Sequence, residues 1–256
     1  MQKLILVLHG LDQSTSNRGH ELMSISSPIA VFGAGGKAGT EVLHRARQGG
    51  LAVRAFEHNL PEPGDRVEGV EYVQCDVLKD SFADQLRGCG AVISALGIGF
   101  SPSTAIDPPP LYTDGTRHLL EAMRETDITR IVVISAAFVV HQPSIPAWFE
   151  LTARSALFNI LEQMRAMEDM LEQEVGLDWT AARPGWLLDE PYTGEAIITD
   201  ERLAEGCFRC RHGDLAESLI EFIAEGTWVK AKPAIGRPEA ERFEEMSALK
   251  VELKLD

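Results

Sequence analysis

The chain has 256 residues, 45% of them hydrophobic, with a mean hydropathy of -0.06 and a formal net charge of -15. This composition is typical of a globular protein and excludes a fibre or a disordered chain. The excess of 39 acidic over 24 basic side chains repels nucleic-acid phosphates and anionic lipid, so neither nucleic acid nor membrane is expected as a partner.

The cysteines and the apolar runs indicate the cellular compartment of the protein. Cys75, Cys89, Cys207 and Cys210 are too few and too irregularly spaced for a disulfide framework. The apolar run at the N-terminus is too short for a signal segment, and no other stretch is long enough to span a bilayer. We therefore expect a cytoplasmic protein.

The predicted elements begin after residue 27. Residues 1–27 join a short apolar run to a polar stretch and are interpreted as an N-terminal extension. Residues 28–236 alternate apolar β-type runs with segments of helical period, which predicts an α/β fold: a Rossmann-type doubly wound parallel sheet. A small C-terminal substrate-side elaboration is expected from about residue 184, and residues 237–256 form a charged C-terminal tail.

The pattern predicts six main strands and a series of helices in this domain. The strands are expected at 29–32, 52–57, 71–75, 91–95, 130–135 and 178–183, with a further one near 196–199. Helices are expected at 37–48, 81–87, 113–125, 146–175 and 214–225, the long one being open to a break in two.

A glycine loop between the first strand and the first helix carries the strongest functional signal. Its spacing is G-x-x-G-x-x-G, a form that lets backbone N–H groups and the positive helix end approach a pyrophosphate. A glycine-rich turn without a ligand is the alternative. The predicted dinucleotide contacts here are Gly33, Gly35, Gly36, Lys37, Ala38 and Gly39.

The ends of the next strands supply further contacts to a dinucleotide. Glu57 can accept hydrogen bonds from the adenosine ribose, which favours NAD, whereas His58 and Lys37 can assist a 2′-phosphate, so the cofactor stays open between NAD and NADP. Asp76 either accepts from the adenine amino group or caps the following turn. The remaining predicted contacts are Val77 beside Asp76 and the small residues Ala95, Leu96 and Gly97.

Several segments together resemble one known family. They are the glycine loop, Asp76-Val77, Ala95-Leu96-Gly97, Val132-Val133-Ile134-Ser135 and the run from Gly176 to Gly185 that contains Leu-Asp-Trp-Thr and Arg-Pro-Gly. The chain resembles the atypical short-chain dehydrogenase/reductase superfamily, in its NAD(P)-binding, NmrA-like and biliverdin/flavin reductase-like branch, over about residues 28–236. This resemblance implies that Pro184 and Gly185 lie beside the nicotinamide.

The chain also departs from that family at the positions that move protons. Typical members use a Tyr-x-x-x-Lys pair, but none of the chain's tyrosines, Tyr72, Tyr112 and Tyr192, has a lysine four residues later. The serine of the flavin-reductase-like relatives corresponds to Ala136, and their histidine corresponds to Gly185.

Ser135, one residue before Ala136, is the best remaining catalytic candidate and a predicted cofactor contact. The alternative for Ser135 is a hydroxyl that only satisfies local backbone, and His141 is interpreted as an exposed loop histidine rather than a catalytic one.

Other side chains allow two interpretations each. Tyr112 and Tyr192 can line the substrate side, and Trp148, Phe149 and Trp186 form either an aromatic wall or part of the core. The Cys207, Cys210 and His212 group resembles half of a zinc site, but no second half follows, so ordinary thiols and no metal are predicted.

The sequence thus predicts an NAD(P)-dependent oxidoreductase that moves hydride between the nicotinamide and a small planar or carbonyl acceptor. The alternative is a non-catalytic NmrA-like redox sensor that binds the dinucleotide and acts through a protein partner. An epimerase-type activity is disfavoured because that class usually keeps the Tyr-Lys pair. A small-molecule substrate is expected, and a protein partner or a homodimer is left open.

Overall fold

The first strand shows how these residue types build a sheet that is covered on both faces. In the computed structural model, which describes residues 27–245, all of Ile29–Phe32 is buried. Ile29 and Val31 join one hydrophobic core, while Ala30 and Phe32 join the other. Because successive side chains point to opposite faces of a sheet, such a continuous apolar run requires helices on both sides.

The strands form one large sheet and one small pair. The large sheet has the order β3-β2-β1-β4-β5-β6-β10-β8; all of its pairs are parallel except β8 with β10, and β7 pairs with β9 apart from it. The strands are β1 Ile29–Phe32, β2 Val53–Glu57, β3 Val70–Gln74, β4 Ala91–Ser94, β5 Arg130–Ile134, β6 Asp178–Pro184, β7 Trp186–Leu188, β8 Ile197–Asp200, β9 Arg209–Arg211 and β10 Pro233–Gly236.

The helices divide between the two faces of the sheet. The helices are α1 Lys37–Gln48, α2 Ala83–Leu86, α3 Pro102–Ile106, α4 Asp114–Glu125, α5 Ala147–Ala156, α6 Phe158–Gln173 and α7 His212–Ala224. Helices α1 and α7 pack together on one face, and α2, α4, α5 and α6 contribute to the core on the other. The doubly wound parallel sheet predicted from the sequence is confirmed.

The predicted elements are present with ends that differ by a few residues. The long helical segment is broken at Leu157 into α5 and α6, and the expected strand near 196–199 is β8. Sequence analysis did not predict α3, β7, β9 or β10, because these elements of three to five residues show no clear period.

The segment after residue 184 is partly an extension of the large sheet, through β8 and β10, and partly the small β7–β9 pair. The N-terminal extension falls almost wholly outside the described residues, as does the tail from residue 246. The division of the chain into three parts therefore stays a prediction. Within residues 237–245 there is one short 3-10 helix, Glu241–Phe243.

Strand order positions the functional site. The chain runs outward from β1 to β3 and then returns to the other side of β1 with β4, so the order reverses between β1 and β4. In open parallel sheets, ligands bind in the crevice at the carboxyl ends of the strands, at this reversal.

Candidate functional site

A cleft of about 1160 Å³ lies where the strand order predicts it. Its walls include residues at the carboxyl ends of β1 to β6 together with residues of α1, α6 and β7. Ligand pockets commonly measure about 300–1,000 Å³, so the cleft has room for a dinucleotide and a second small molecule.

Two glycines of the loop are required by the packing of the protein itself. Gly33 has a φ of 74°, and a Cβ there would lie 2.6 Å from the Ala95 carbonyl oxygen. A Cβ at Gly39 would lie 2.1 Å from the Gly33 carbonyl oxygen. Gly39 does not line the cleft, so this predicted contact shapes the loop from behind.

Gly36 differs from these two glycines because the protein leaves space at its Cβ. The nearest atom to a Cβ there would be the Gly33 carbonyl oxygen at 3.5 Å, an ordinary contact, and Gly36 lines the cleft. Gly36 is also the N-cap of α1, which has no side-chain cap. The first N–H groups of a helix have no partner within it, so an uncapped helix end beside an open cradle fits a pyrophosphate.

Lys37 and Ala38, the first residues of α1, also line the cleft. The Lys37 Nζ lies 2.6 Å from Oδ2 of Asp189, which follows β7, and both side chains are largely exposed. The hydrogen bond from Lys37 lowers the pKa of Asp189. This ion pair joins the glycine loop to the segment on the opposite wall.

Glu57, at the end of β2, is held against the glycine loop. Its Oε2 accepts a hydrogen bond of 2.7 Å from the Gly35 N–H, and its Oε1 accepts one of 3.0 Å from the His58 N–H. A Cβ at Gly35 would lie 3.2 Å from this carboxylate. Gly35 does not line the cleft, whereas Glu57 and His58 do. The carboxylate is thus fixed at the end of β2 beside the cleft, and its contact with the adenosine ribose stays a prediction.

Asp76 caps the turn after β3 and also faces the cleft. Its Oδ1 accepts from the Leu78 N–H at 3.0 Å, and its Oδ2 accepts from the Lys79 Nζ at 2.7 Å. The hydrogen bond from Lys79 is the largest cause of a lowered Asp76 pKa. Asp76 thus caps the turn, which was one of its two predicted roles, and its contact with adenine stays a prediction. The neighbouring Val77 lines the cleft as well.

The predicted residues at the middle and far end of the cleft come together there. Ala95, Leu96, Gly97, Ser135, Pro184 and Gly185 all line it. A Cβ at Gly185 would lie 2.6 Å from the Phe208 carbonyl oxygen. The packing at this position requires glycine, since a side chain would push β7 away from the strand that follows Phe208.

Ser135 rests on a buried group of charged side chains. Its Oγ donates a hydrogen bond of 2.7 Å to Oε1 of Glu168, whose side chain is 2% exposed. Arg183 donates to both oxygens of the same carboxylate, from Nε at 2.9 Å and from Nη2 at 2.6 Å. The Lys232 Nζ lies 3.5 Å from Glu168 and 2.6 Å from Glu172. A catalytic role for Ser135 stays a prediction.

Beyond Ser135 and Gly185 the cleft is walled by apolar side chains, and we name this part the acceptor chamber. Tyr112 is the tyrosine placed here, and burial raises its pKa to about 12, so the phenol keeps its proton near neutral pH. The chamber is lined by Ile98, Phe100, Leu111, Tyr112, Ile134, Ser135, Ala136, Phe138, Leu157, Ile160, Met164, Trp186, Leu187, Leu188 and Phe243.

The aromatic candidates divide between wall and core. The Trp186 ring lies 6.2 Å from Phe138 and 5.9 Å from Phe149, edge to face, and Trp186 lines the chamber. Phe149 is fully buried and Trp148 packs against the same core, so these two support the wall from behind. Tyr192 is stacked under Arg45, with 3.7 Å from the guanidinium carbon to the ring centre, away from the chamber.

The other candidates lie outside the cleft or have structural partners. His141 is largely exposed and pairs with Glu150 at 2.8 Å. Cys207 and Cys210 are buried free thiols, and burial raises the pKa of both. Among residues 27–245 no group of three or more His, Cys, Asp or Glu side chains is arranged to hold a metal ion.

Several cleft residues were not found by sequence reasoning. Lys79, Asp189 and His212 line the cleft, and His212 begins α7 with its Nδ1 2.8 Å from the Leu188 carbonyl oxygen. Since a carbonyl can only accept, Nδ1 carries the proton, and burial lowers the pKa of His212. Lys79 follows β3, and only the return of the chain after β7 brings Asp189 and His212 to the cleft. Sequence reasoning considered His212 only as part of a half zinc site with Cys207 and Cys210, and it gave no role to Lys79 or Asp189.

Comparison with known proteins defines the class of this chain. The family model described as NAD(P)H-binding matches residues 33–225, so the chain belongs to this NAD(P)H-binding family. The glycine loop, the uncapped helix end and the cleft fit that assignment. NAD or NADP is accordingly the cofactor of this chain, and the predicted resemblance to atypical short-chain dehydrogenases/reductases is confirmed.

Individual relatives are distant. A chloroplastic protein of Arabidopsis thaliana, At2g34460, whose own activity is uncharacterised, is 26% identical over 225 residues, 83% of this chain and 78% of that protein. The solved oxidoreductase ylbE from Lactococcus lactis has a TM-score of 0.66 at 22% identity, covering 89% of this chain and 97% of its own. A short-chain dehydrogenase/reductase from Veillonella parvula in complex with NADP has a TM-score of 0.67 at 15% identity, covering 83% and 95%.

In the described part of the chain, residues 27–245, no helix is both long and apolar enough to cross a bilayer. A cytoplasmic location stays a prediction, since the plant relative is chloroplastic.

Proposed function

We propose that the chain is an NAD(P)H-dependent oxidoreductase that transfers hydride between the nicotinamide and a small planar or carbonyl acceptor. The observation that supports this proposal is the acceptor chamber. The cleft does not end at Pro184 and Gly185, where the resemblance puts the nicotinamide, but continues into an apolar space walled by Trp186 and Phe138. A protein that only bound a dinucleotide would not need this second compartment.

The reaction needs few reactive groups from the protein. A bound nicotinamide supplies the hydride, two electrons with one proton, and the acceptor takes a second proton from water or a neighbouring hydroxyl. The chain's residues would orient the two rings and exclude water. Alignment of two reactants can supply a large part of a rate enhancement without a Tyr-Lys pair.

We further propose that the protein prefers NADH to NADPH. Glu57 lies at the position expected for the adenosine ribose and would repel a 2′-phosphate. The cations nearby are paired, Lys37 with Asp189 and Lys79 with Asp76. A phosphate at the ribose would therefore meet a carboxylate without a free lysine to balance it.

A second candidate function is a redox sensor that binds the dinucleotide without turnover and signals to a protein partner. The observation that favours it is the hydrogen bond from Ser135 to Glu168, which occupies the hydroxyl that would otherwise be the proton donor in the cleft. The missing Tyr-Lys pair and the glycine at position 185 point the same way.

The experiment that separates these functions measures binding and turnover in one preparation. The full chain is titrated with NADH and NADPH, and oxidation is then followed at the nicotinamide absorbance with flavins, quinones and carbonyl compounds. The proposal predicts tighter binding of NADH and acceptor-dependent oxidation. Binding without oxidation of the cofactor by any acceptor would support the sensor, and a homodimer or partner would then be sought by co-purification.

A further inference from the structure

We infer that the acceptor is an uncharged, apolar ring compound, and that the acceptor chamber rejects acceptors that carry a phosphate, sulfonate or carboxylate on the ring. This inference rests on the proposed oxidoreductase function and names its substrate class. It follows from the distribution of charge along the cleft.

The charged side chains that line the cleft lie on α1, at the ends of β2 and β3, after β7 and at the start of α7, and we name the part of the cleft around the glycine loop, β2 and β3 the nucleotide half. Residues of α1 and of the ends of β2 and β3 surround the glycine loop, and the remaining ones follow β7 or begin α7. The charged or titratable lining residues in these places are Lys37, Glu57, His58, Asp76, Lys79, Asp189, Glu190 and His212. The acceptor chamber, over the ends of β4 to β6, has no Lys, Arg, Asp, Glu or His among its described lining residues.

The polar side chains of the chamber are neutral hydroxyls. Ser135 donates to Glu168, and Tyr112 remains protonated. The phenol of Tyr112 can donate a hydrogen bond to a carbonyl oxygen or a ring nitrogen of an acceptor, but it supplies no positive charge. The chamber can thus donate a hydrogen bond to a ketone or quinone oxygen. Its described lining residues include no positive side chain that would balance the charge of an anion.

The charges beneath the chamber floor do not change this result. Arg183 is bound through two nitrogens to Glu168, and Lys232 lies between Glu168 and Glu172. These two cations and two carboxylates sum to zero, and Arg183 is buried. After β7, Glu190 adds negative charge to the cleft lining, since Asp189 is already paired with Lys37, and the chain as a whole carries -15.

Burying an ion without a partner is strongly unfavourable, so an anionic ring would bind more weakly than its neutral counterpart. The chamber walls also indicate a flat acceptor. Trp186 packs edge to face on the buried Phe138 ring, and the half-buried Trp186 ring lines the chamber, where a flat ring can pack against it.

The test compares two ligands with the same ring. Menadione is an uncharged naphthoquinone, and naphthoquinone sulfonate carries an anion on that ring. Each is titrated into the full-length protein saturated with oxidised dinucleotide, and quenching of tryptophan fluorescence, to which Trp186 contributes, reports binding without turnover. We expect the dissociation constant of menadione to be at least about 10-fold lower than that of naphthoquinone sulfonate.

The described thiols do not complicate this test. Cys75 is the cysteine that lines the cleft, and burial raises its pKa to about 12, which keeps it in the unreactive thiol form. Quinone addition to this cysteine is therefore disfavoured.

A charge-introducing variant gives the reverse readout. Leu157, a half-buried lining residue between α5 and α6, is changed to Arg; Leu157→Arg should bind naphthoquinone sulfonate more tightly than the unmodified protein does. Leu151→Arg is the matched control, since Leu151 is 69% exposed on α5 and lies outside the cleft. If Leu157→Arg does not fold, the two-ligand comparison on the unmodified protein decides the question alone.

The outcomes separate this inference from the proposed function. Equal or tighter binding of the sulfonate, or binding of neither quinone, would overturn the inference. Preferential binding of menadione without any oxidation of NADH would leave the inference about the chamber standing and contradict the oxidoreductase proposal. Faster oxidation of NADH by the sulfonate than by menadione would support the oxidoreductase and overturn the inference.

Discussion

The two halves of the cleft differ in the groups that line them. The nucleotide half is mainly backbone: a loop in which Gly33 and Gly39 are required by close packing, with the uncapped start of α1 beside it. The acceptor chamber is mainly side chains, brought from loops after β4 and β5 and from α6. Backbone groups suit the pyrophosphate that all dinucleotides share, whereas side chains suit the selection of one acceptor.

The two halves also rest on different supports. The loop lies on the sheet through contacts that only glycine permits, while the chamber floor lies on the buried carboxylate of Glu168 and its cations. Changes in one half should therefore disturb a different property from changes in the other.

The largest effect is expected from Arg183→Met, which leaves Glu168 without its main partner. Breaking a buried ion pair on one side costs about 3–5 kcal/mol of the free energy of unfolding, measured by urea denaturation. Adding Glu168→Leu in the same chain should recover much of that loss, because no lone charge is then buried. A small effect of Arg183→Met would mean that the floor does not depend on this pair.

The next effect is on binding and belongs to the nucleotide half. Gly36→Val places a side chain where only the ligand needs space, so NADH affinity should fall by about 100-fold, a free-energy loss of roughly 2.7 kcal/mol. The unfolding curve should change little. Gly64→Val, at an exposed glycine with open space around it, is the control, and calorimetric titration is the measurement. Retained affinity would show that the pyrophosphate does not lie on this loop.

A smaller effect in the nucleotide half is expected on the preference between NADH and NADPH. Glu57→Arg removes the carboxylate that would repel a 2′-phosphate and adds a cation, so the ratio of NADPH to NADH affinity should rise by about 10-fold. Glu62→Arg makes the same charge change on an exposed loop residue and should leave the ratio unchanged. An equal ratio of affinities in both variants would show that Glu57 does not contact the adenosine ribose.

Ser135→Ala probes where the two halves meet. Because the hydroxyl donates to Glu168, it cannot donate to the acceptor at the same time, and we expect kcat to fall by less than about 10-fold. The pH profile of kcat should keep its shape. A fall of several orders of magnitude with a lost limb in the profile would identify Ser135 as the proton donor and support its predicted catalytic role.

The smallest effect is a pH dependence at His212. Burial lowers the folded-state pKa of this histidine, so its contribution to stability is present above the unfolded pKa and is lost as the pH falls through the folded value. His212→Gln keeps a donor for the Leu188 carbonyl and does not titrate. Between neutral and mildly acidic pH, the native chain should lose more unfolding free energy than this variant; equal losses would contradict the assignment.

The same contrast explains what the sequence could predict. The strand-loop-helix around Gly33 and the acidic residue at the end of β2 have a spacing that follows from the chemistry of one ligand. The doubly wound parallel sheet followed from the alternation of β-type and helical runs, whereas the order of its strands was not predicted. These parts of the fold and site depend on neighbours along the chain, which a single sequence displays.

The acceptor chamber has no such spacing. Leu111, Met164 and Phe243 reach one wall from three distant parts of the chain, and apolar residues there look like any other core residues. The partner of Ser135 is 33 residues away, on a helix whose periodicity predicted burial but not a buried carboxylate. Such contacts arise only when the helices are placed on the sheet.

The ion pair between Lys37 and Asp189 has a consequence for how ionic strength acts on this protein. An incoming pyrophosphate that takes up Lys37 exchanges one anion for another instead of neutralising a free cation. Salt screens both the bond that breaks and the bond that forms, and an exposed pair of this kind contributes about 0–1 kcal/mol. The affinity for the dinucleotide should therefore vary less with salt than the charge of the ligand suggests, and Asp189→Asn should make it steeper.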